Sequence, residues 1–277
     1  MRCGVLGSPI AHSLSPALHR AAYEHLGLSW TYEAVTVDSA GLAGFLDGLD
    51  AGWRGLSLTM PLKRTVVPLV DSLDTWSRLS GVVNTVVLDS DRRLGFNTDI
   101  PGAMAALDER LEAPPRSVAV IGGGATATSV LLALAERWCT TAQVLVRDPA
   151  RAEETVAAVS SHPHAPELSV STIADAGPLD VDLVVSTVPA NAQTPDLLAA
   201  CASVPAVFEV VYDPWPTPLA RAARQSGRRL VSGLDLLAHQ AVLQVDVMTG
   251  RPVPVELIRQ AGEAELRRRA GENRAGG

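Results

Sequence analysis

The chain has 277 residues, of which 47% are hydrophobic and 4% aromatic, and its net charge is −7. This hydrophobic content excludes a disordered or fibrous chain, and the predominance of small aliphatic residues favours an α/β fold. Because the acidic balance provides no basic surface for nucleic acid or an anionic membrane, we expect a small-molecule ligand instead.

The cysteines are too few and too scattered for a disulfide framework or a metal site, since Cys3, Cys139 and Cys201 form no CxxC pair. We therefore expect no bound metal and a reducing compartment. The N-terminal residues lack the apolar stretch of a signal peptide, and no run of about 18 apolar residues could span a bilayer. These features predict a cytoplasmic protein without a membrane partner, and they leave open whether it is a monomer or a homodimer.

The first hundred residues alternate β-rich and amphipathic segments, which predicts an α/β domain over residues 1–100. We expect Ser15 to cap the first helix and Gly27 to end it, because these residue types favour those positions. The predicted elements are a strand at Cys3–Leu6, a helix between Ser15 and Gly27, a strand at Trp30–Val37, a helix at Ala40–Leu49, a strand at Gly55–Thr59, a helix at Pro61–Val70, and strands at Val82–Leu88 and Arg93–Phe96.

The rest of the chain predicts a parallel, doubly wound sheet, because strands and helices alternate along it. A helix at Pro101–Leu111 leads into Ala113–Pro115, a stiff break that we take as the candidate junction between domains. We assign the second domain to residues 101–233 and expect the helices of residues 234–277 to pack back on the first. The predicted elements after the break are strands at Ser117–Ile121, Gln143–Val146, Leu183–Ser186, Val207–Val211 and Leu230–Val231, with helices at Ala125–Trp138, Leu234–Thr249 and Arg259–Ala270.

A glycine cluster lies between the strand at Ser117–Ile121 and the helix after it. The missing side chains let backbone N–H groups approach a pyrophosphate, and the helix N-terminus adds a partial positive charge. The spacing Gly122-x-Gly124-x-x-Ala127 is a variant of the dinucleotide-binding pattern, with alanine at the final position. The alternative is a tight turn without a ligand. The predicted nucleotide-binding residues are Gly122, Gly123, Gly124, Ala125 and Thr126.

Cofactor choice is expected at the end of the next strand, where an acidic residue would bind the ribose hydroxyls of NAD. This chain has Arg147 there and Arg151 four residues later. Two guanidinium groups suit the 2′-phosphate of NADP, so the sequence favours NADP over NAD. In the alternative interpretation, Arg151 is only a solvent-exposed residue of a helix, and Asp148 binds the ribose.

Lys63 is the only lysine among 23 basic residues. Unlike arginine, a lysine can exchange its proton when its surroundings shift its pKa, so Lys63 is a candidate acid or base; the alternative is an ordinary surface lysine. Other polar residues follow predicted strands, where ligands collect in open α/β sheets. Each also has a structural interpretation as a helix cap or a turn residue. They are Ser13, Ser15, Thr59, Asn84, Thr85, Asn97, Thr98 and Asp99.

Taken together, these segments resemble the shikimate dehydrogenase family over nearly the whole chain. The order of several unrelated motifs, rather than any one of them, carries the resemblance. The motifs are GSPIAHSLSP at Gly7–Pro16, LTMPLK at Leu58–Lys63, GVVNT at Gly81–Thr85, GFNTD at Gly95–Asp99, STVP at Ser186–Pro189, YDPWPTPL at Tyr212–Leu219 and GLDLLAHQA at Gly233–Ala241.

The resemblance implies reversible hydride transfer between NADPH and 3-dehydroshikimate, giving shikimate for aromatic amino-acid biosynthesis, in a cleft between the two domains. Lys63 and Asp99 would form the proton-transfer pair, consistent with the need to neutralise the alkoxide that hydride delivery creates. Ser13 and Ser15 would bind the substrate carboxylate. Ring contacts would come from Thr59, Asn84, Asp99, Gln240 and Tyr212, and further cofactor contacts from Thr187, Val188 and Gly233.

Three departures from the family pattern keep alternatives open. Ser57 replaces the usual asparagine, Leu236 replaces the usual methionine, and Asp148 follows Arg147 where a neutral residue is usual. They motivate a second hypothesis, a paralogue that acts on quinate or an amino-substituted ring with NAD or NADP. A third hypothesis is a nucleotide-binding regulator without catalysis, against which the intact pair Lys63 and Asp99 argues.

Overall fold

The computed structural model describes residues 1–275, with side chains through Glu272; the end of the predicted 234–277 segment lies outside the described residues. The strands are β1 (Arg2–Gly7), β2 (Thr31–Thr36), β3 (Trp53–Leu58), β4 (Ser72–Leu73), β5 (Thr85–Asp89), β6 (Arg92–Phe96), β7 (Ser117–Ile121), β8 (Thr141–Val146), β9 (Glu167–Thr172), β10 (Leu183–Ser186), β11 (Ala206–Glu209) and β12 (Arg229–Ser232). The helices are α1 (Ser15–His25), α2 (Leu42–Asp47), α3 (Leu62–Thr65), α4 (Thr75–Ser80), α5 (Asp99–Arg110), α6 (Ala125–Glu136), α7 (Glu153–Ser160), α8 (Pro195–Ala200), α9 (Pro218–Gln225), α10 (Gly233–Thr249) and α11 (Val255–Ala275).

These elements form two compact units, one comprising Met1–Thr98 and the chain from Leu237 onward, the other Asp99–Leu236. The proline pair at Pro114 and Pro115 is not the junction that the sequence suggested, because it lies inside the second unit. The physical reason is that α5, which precedes the prolines, packs against α6 of that unit.

The first unit contains a six-stranded sheet in the order β2-β1-β3-β5-β6-β4. β1 pairs in parallel with β2 and β3, whereas β5 runs antiparallel to both β3 and β6. Helix α10 lies close to this sheet, since a Cβ at Gly55 would come within 2.7 Å of Cγ of Met248. Helix α11 packs against α1. Because β1 and β3 pair in parallel, the loops that follow them leave the sheet side by side at the same end.

Two local predictions in the first unit are wrong. The helix expected at Pro61–Val70 breaks into α3 and a short 3₁₀ turn at Val67–Leu69, because Pro68 has no N–H to continue the helical hydrogen bonds. Ser15 does not cap α1: it is the first helical residue, and Leu14 occupies the cap position without a side-chain hydrogen bond. Gly27 follows the helix with a φ of +66°, which confirms its predicted role as the terminator.

The second unit is a six-stranded parallel sheet in the order β12-β11-β10-β7-β8-β9. Counted from β7, this is the doubly wound dinucleotide-binding order, so the predicted fold class is confirmed. The direction of winding reverses between β7 and β10, which pair with each other. Ligands of such sheets bind outside the carboxyl ends of the two strands at this reversal. Among residues 1–275, no helix is long and apolar enough to cross a membrane.

Candidate functional site

Backbone hydrogen bonds join the four N-terminal motif segments at one end of the first sheet. The Thr59 amide donates to the Leu6 carbonyl at 2.9 Å, which fixes the loop after β3 beside the loop after β1. A Cβ at Gly7 would lie 2.4 Å from Cγ2 of Thr59, so only glycine permits this approach. The Lys63 carbonyl accepts from the amide of Val83 at 2.8 Å. These contacts bring candidate side chains from separate segments into one region of the first unit.

A further backbone hydrogen bond reaches the segment at the end of β6: the Asn84 amide donates to the Phe96 carbonyl at 3.0 Å. The Asn84 side chain donates to Thr98 Oγ1 at 2.9 Å and to Gln240 Oε1 at 3.1 Å. All three side chains are at least nine-tenths buried. The structure thus assembles Asn84, Thr98 and Gln240 from three separate stretches of the chain into one hydrogen-bonded group. Asn97 has a structural role here, because its side chain donates to Ser80 Oγ at 3.0 Å.

Ser13 and Ser15 lie at the N-terminus of α1. The Ser13 hydroxyl accepts from the Ser15 amide at 3.3 Å, and Ser15 is 6% exposed. Its carbonyl lies 3.0 Å from Nδ1 of His19, a ring that stacks on Tyr32 with 4.0 Å between centroids. Ser15 does not cap the helix, and its side chain instead hydrogen-bonds the phenol of Tyr32.

A second buried network of hydrogen bonds connects Tyr32 of β2 to Asn84. The Tyr32 hydroxyl donates to Ser57 Oγ at 2.6 Å, and the Ser57 hydroxyl donates to Gln244 Oε1 at 2.9 Å. The Gln244 amide group then donates to Thr85 Oγ1 at 2.9 Å, and the Thr85 hydroxyl donates to Asn84 Oδ1 at 2.9 Å. Burial strongly raises the pKa of Tyr32, so this phenol stays protonated and acts as the donor. Ser57, where the family pattern has asparagine, therefore connects Tyr32 to the Asn84 group.

Sequence reasoning missed Tyr32 and Gln244 as members of this network. Tyr32 gave no signal, because a tyrosine in a predicted strand has the usual interpretation as a core residue. Gln244 follows Gln240 by four residues in α10, and two glutamines at that spacing lie on one helix face. That spacing was the available signal.

The two predicted proton-transfer residues lie in different units. Lys63 lies in α3 of the first unit and is half-buried. Asp99 is the first residue of α5 in the second unit and is 5% exposed. A carboxylate at this position is stabilised by the partial positive charge of the helix N-terminus. Tyr212, also in the second unit, is half-buried.

The glycine turn after β7 lies at the reversal point of the second sheet. Gly122 has a φ of +113°, and a Cβ there would lie 2.2 Å from Oγ1 of Thr187, the residue after β10. The Thr187 amide in turn donates to the Ile121 carbonyl at 2.9 Å. The predicted cofactor residues Gly122, Thr187 and Val188 are therefore adjacent, since Val188 Cγ1 would be 3.5 Å from the same Cβ.

The other glycines of the turn differ in their surroundings. A Cβ at Gly123 would lie 2.8 Å from the Arg151 carbonyl oxygen, so this residue packs against the segment after β8. A Cβ at Gly124 would meet nothing within 4 Å, and this residue precedes the first amides of α6, which include those of Ala125 and Thr126. An open glycine at a helix N-terminus leaves room for a phosphate group against the backbone. The turn therefore fits a dinucleotide.

Arg147 and Arg151 are exposed, and the backbone of Arg151 lies against Gly123 of this turn. Asp148 accepts a hydrogen bond from the Ala150 amide at 3.1 Å and caps the 3₁₀ turn that contains Arg151. This structural role of Asp148 favours the interpretation in which the arginines face a phosphate over the one in which Asp148 binds a ribose. Gly233 is explained by packing, because a Cβ there would lie 2.0 Å from the Val210 carbonyl oxygen.

A buried carboxyl group holds two loops of the second unit. Glu209, at the end of β11, is fully buried and accepts from Gln193 Nε2 at 2.6 Å, Thr217 Oγ1 at 2.7 Å and the Val211 amide at 3.0 Å. Burial raises its pKa, and these donors partly oppose the shift. Glu209 thus fixes the start of the segment that carries Tyr212. Sequence reasoning missed it, although an acidic residue within the apolar run at Val207–Val211 was a usable signal.

Comparison with protein families matches residues 5–86 to the shikimate dehydrogenase substrate binding domain and residues 233–261 to the shikimate 5′-dehydrogenase C-terminal domain. A relative from Geobacter metallireducens, named shikimate dehydrogenase (NADP(+)), is 34% identical and is aligned over 96% of each chain.

Solved structures agree with these matches. The shikimate dehydrogenase of Mycobacterium tuberculosis has a TM-score of 0.85 at 36% identity, covering 95% of this chain and 99% of the other. A shikimate 5-dehydrogenase from Thermus thermophilus, solved in complex with NADP(H) and shikimate, has a TM-score of 0.83 at 30% identity, with the same coverage. The similarity extends through both units rather than one. This chain therefore belongs to the shikimate dehydrogenase family.

Proposed function

We propose that this protein catalyses the reversible, NADP-dependent reduction of 3-dehydroshikimate to shikimate. The observation that carries the proposal is the buried group of Asn84, Thr98 and Gln240, assembled beside Thr59 at one end of the first sheet. Such a group of short polar side chains suits a ligand with several hydroxyls, because an analogue that leaves these groups unpaired is rejected. The names of the relatives support the same substrate and cofactor.

In the proposed reaction, the chain's own residues bind the substrate and manage its proton. Ser13 and Ser15 bind the carboxylate, and Thr59, Asn84 and Gln240 hydrogen-bond the ring hydroxyls. Lys63 donates a proton to the oxygen that becomes negative as the ketone is reduced, and it accepts that proton in the oxidative direction. Asp99 contacts a ring hydroxyl and is the second member of the proposed proton-transfer pair, and Tyr212 provides a further substrate contact.

NADPH, when bound, supplies the hydride. We propose that the amides of the turn from Gly122 to Thr126 hold its pyrophosphate, and that Arg147 and Arg151 bind the 2′-phosphate. Thr187, Val188 and Gly233 would border the rest of the cofactor. The open space at Gly124 and the exposed guanidinium groups support this assignment. We further propose a cytoplasmic location and a monomer or homodimer as the working form.

The test is the initial rate of shikimate and quinate oxidation with NADP and NAD, followed by nicotinamide absorbance. We expect turnover with shikimate and NADP to dominate, and Lys63→Ala to lower kcat by about a hundredfold or more while ligand binding persists. Lys63→Arg is the informative companion, because arginine keeps the charge but cannot release its proton at working pH.

The other outcomes would change the assignment in different ways. Preference for quinate or for NAD would move the protein to the paralogue hypothesis. Binding of NADPH without turnover of either ring acid would favour the regulator. Full activity of Lys63→Ala would overturn the role given to Lys63 while leaving the substrate assignment intact.

A further inference from the structure

The C-terminal helix contacts the loop that carries Ser13. Arg269 of α11 donates from Nη1 to the His12 carbonyl at 2.8 Å and from Nη2 to the Ser13 carbonyl at 2.9 Å. Its Nε donates to Oε1 of Glu265 at 2.8 Å, one turn earlier in the same helix. One guanidinium group therefore contacts two consecutive carbonyls of the loop and the carboxylate that orients it.

This geometry is specific to arginine. A guanidinium group is planar and presents its donors in a fixed fork, so one side chain can bind two adjacent carbonyls and a third acceptor together. Hydrogen bonds from a charged donor are also stronger than neutral ones. The contact fixes the peptide planes on both sides of Ser13, and hence the direction in which the chain enters α1.

Neighbouring arginines of α11 do not share this role. Arg267 pairs with Glu263 at 3.4 Å and its side chain is 70% exposed, and Arg268 pairs with Glu265 at 2.8 Å. The side chain of Arg269 is 22% exposed. The three consecutive arginines thus carry the same charge in different surroundings, which provides a matched control within one helical turn.

We propose that Arg269 is a positioning residue for substrate binding: it holds the loop of residues 12–15 so that the hydroxyls of Ser13 and Ser15 are aligned for the substrate carboxylate. The inference rests on the proposed function for the identity of that carboxylate, whereas the fixing of the loop does not depend on it. It also gives a role to a part of α11 that lies beyond the C-terminal family match, which ends at residue 261.

The test compares Arg269→Ala, Arg269→Lys and the control Arg267→Ala in steady-state oxidation of shikimate with NADP. We expect Arg269→Ala to raise the KM for shikimate about tenfold while kcat and the KM for NADP change less than twofold. Arg269→Lys keeps the charge but not the fork, so it should give an intermediate KM. The preference for shikimate over its hydroxymethyl analogue, which lacks the carboxylate, should fall by the same factor.

Hydrogen exchange of the ligand-free proteins provides an independent measurement. Amides of residues 12–17 should exchange faster in Arg269→Ala and Arg269→Lys than in wild type and Arg267→Ala. Unchanged exchange, or faster exchange with an unchanged KM, would overturn the inference, and so would equal losses for shikimate and for NADP. If wild type does not oxidise shikimate, the proposed function fails, and the exchange result alone then decides whether Arg269 fixes the loop.

Discussion

At the scale of single residues, the burial of His19 links the stability of the first unit to pH. The ring is fully buried, its Nδ1–H donates to the Ser15 carbonyl, and its Nε2 is among the buried atoms without a hydrogen-bond partner in the described part of the chain. A charged imidazole would lack solvation in this setting. Burial accordingly lowers the pKa of His19 to about 4, with the Ser15 carbonyl opposing the shift.

The sign of the effect follows from proton binding. Between pH 6.5 and about 4 the unfolded chain protonates His19 and the folded protein does not, so stability falls as pH is lowered through this range. We expect His19 to account for a loss of about 2 kcal/mol in the free energy of unfolding between pH 7.5 and 5. Urea unfolding at a series of pH values measures this slope.

The variant His19→Asn keeps an N–H donor near the Nδ1 position and does not titrate. It should be less stable than wild type at pH 7.5, because it fills less volume, but its stability should depend less on pH. His25→Asn changes an exposed histidine of the same helix and should leave the pH dependence as in wild type. An identical slope in His19→Asn and wild type would show that His19 is not the group responsible.

At the scale of elements, the turn between β7 and α6 separates the folding role of glycine from its ligand role. Gly122→Ala would place a methyl group 2.2 Å from Thr187 Oγ1 at a positive φ, so it should lower the free energy of unfolding by about 2 kcal/mol or more. Gly124→Ala meets no atom within 4 Å and should leave stability nearly unchanged. Its methyl group would instead occupy the space proposed for the pyrophosphate.

Denaturant unfolding and NADP titration of both variants check this difference. Gly124→Ala should bind NADP at least tenfold more weakly than wild type while keeping the wild-type unfolding midpoint. Unimpaired NADP binding by that variant would place the pyrophosphate elsewhere. A wild-type midpoint for Gly122→Ala would show that the turn relaxes around the added carbon.

The connection between β11 and α9 depends on one carboxylate with three donors. Glu209→Gln keeps the shape but turns one acceptor into an NH₂ group that faces donors from Gln193 and Thr217. We expect a loss of about 2 kcal/mol in the free energy of unfolding, because buried polar groups lose their partners. We also expect a several-fold fall in kcat, since the Val211 amide that Glu209 holds directly precedes Tyr212.

Thermal and urea unfolding, together with shikimate kinetics, measure both effects. Glu167→Gln removes an exposed carboxylate from the edge strand β9 and serves as the control, with an expected change within about 0.5 kcal/mol. If Glu209→Gln matched this control in stability and kcat, the carboxylate would not be what orders the segment.

Across the whole chain, the central strands of the second sheet were easier to predict than its edge strand β9. The buried parallel strands β7 and β10 are continuous apolar runs, and their predicted bounds agree with the structure residue for residue. The edge strand β9 was missed because none of its residues is fully buried and it carries no such run. The break at Pro68 was misread because the apolar pattern continued through it.

The candidate site was predictable in part. Motif order identified residues that follow strands, and hydrogen bonds of the first unit join several of them. Contacts between distant segments had no local signal: Tyr32 with Ser57, Gln193 with Glu209, and Arg269 with the Ser13 loop each depend on tertiary packing. Local pattern gives the residue types available to a site, whereas these long-range bonds determine which of them are fixed in place.

The composition of the whole chain allows a chemical test of Lys63. Since it is the only lysine of the sequence, amine acylation can modify its side chain and, besides it, only an N-terminal α-amino group. Molecules labelled only at the α-amino group should keep their activity. Labelling of Lys63 should abolish shikimate oxidation in proportion to its extent, as read by mass spectrometry. Bound shikimate and NADP should protect Lys63 from acylation.

Reductive methylation, which keeps a protonatable amine, should spare more activity than acylation at equal labelling. Fully labelled Lys63 with full activity would remove this residue from the proton-transfer step.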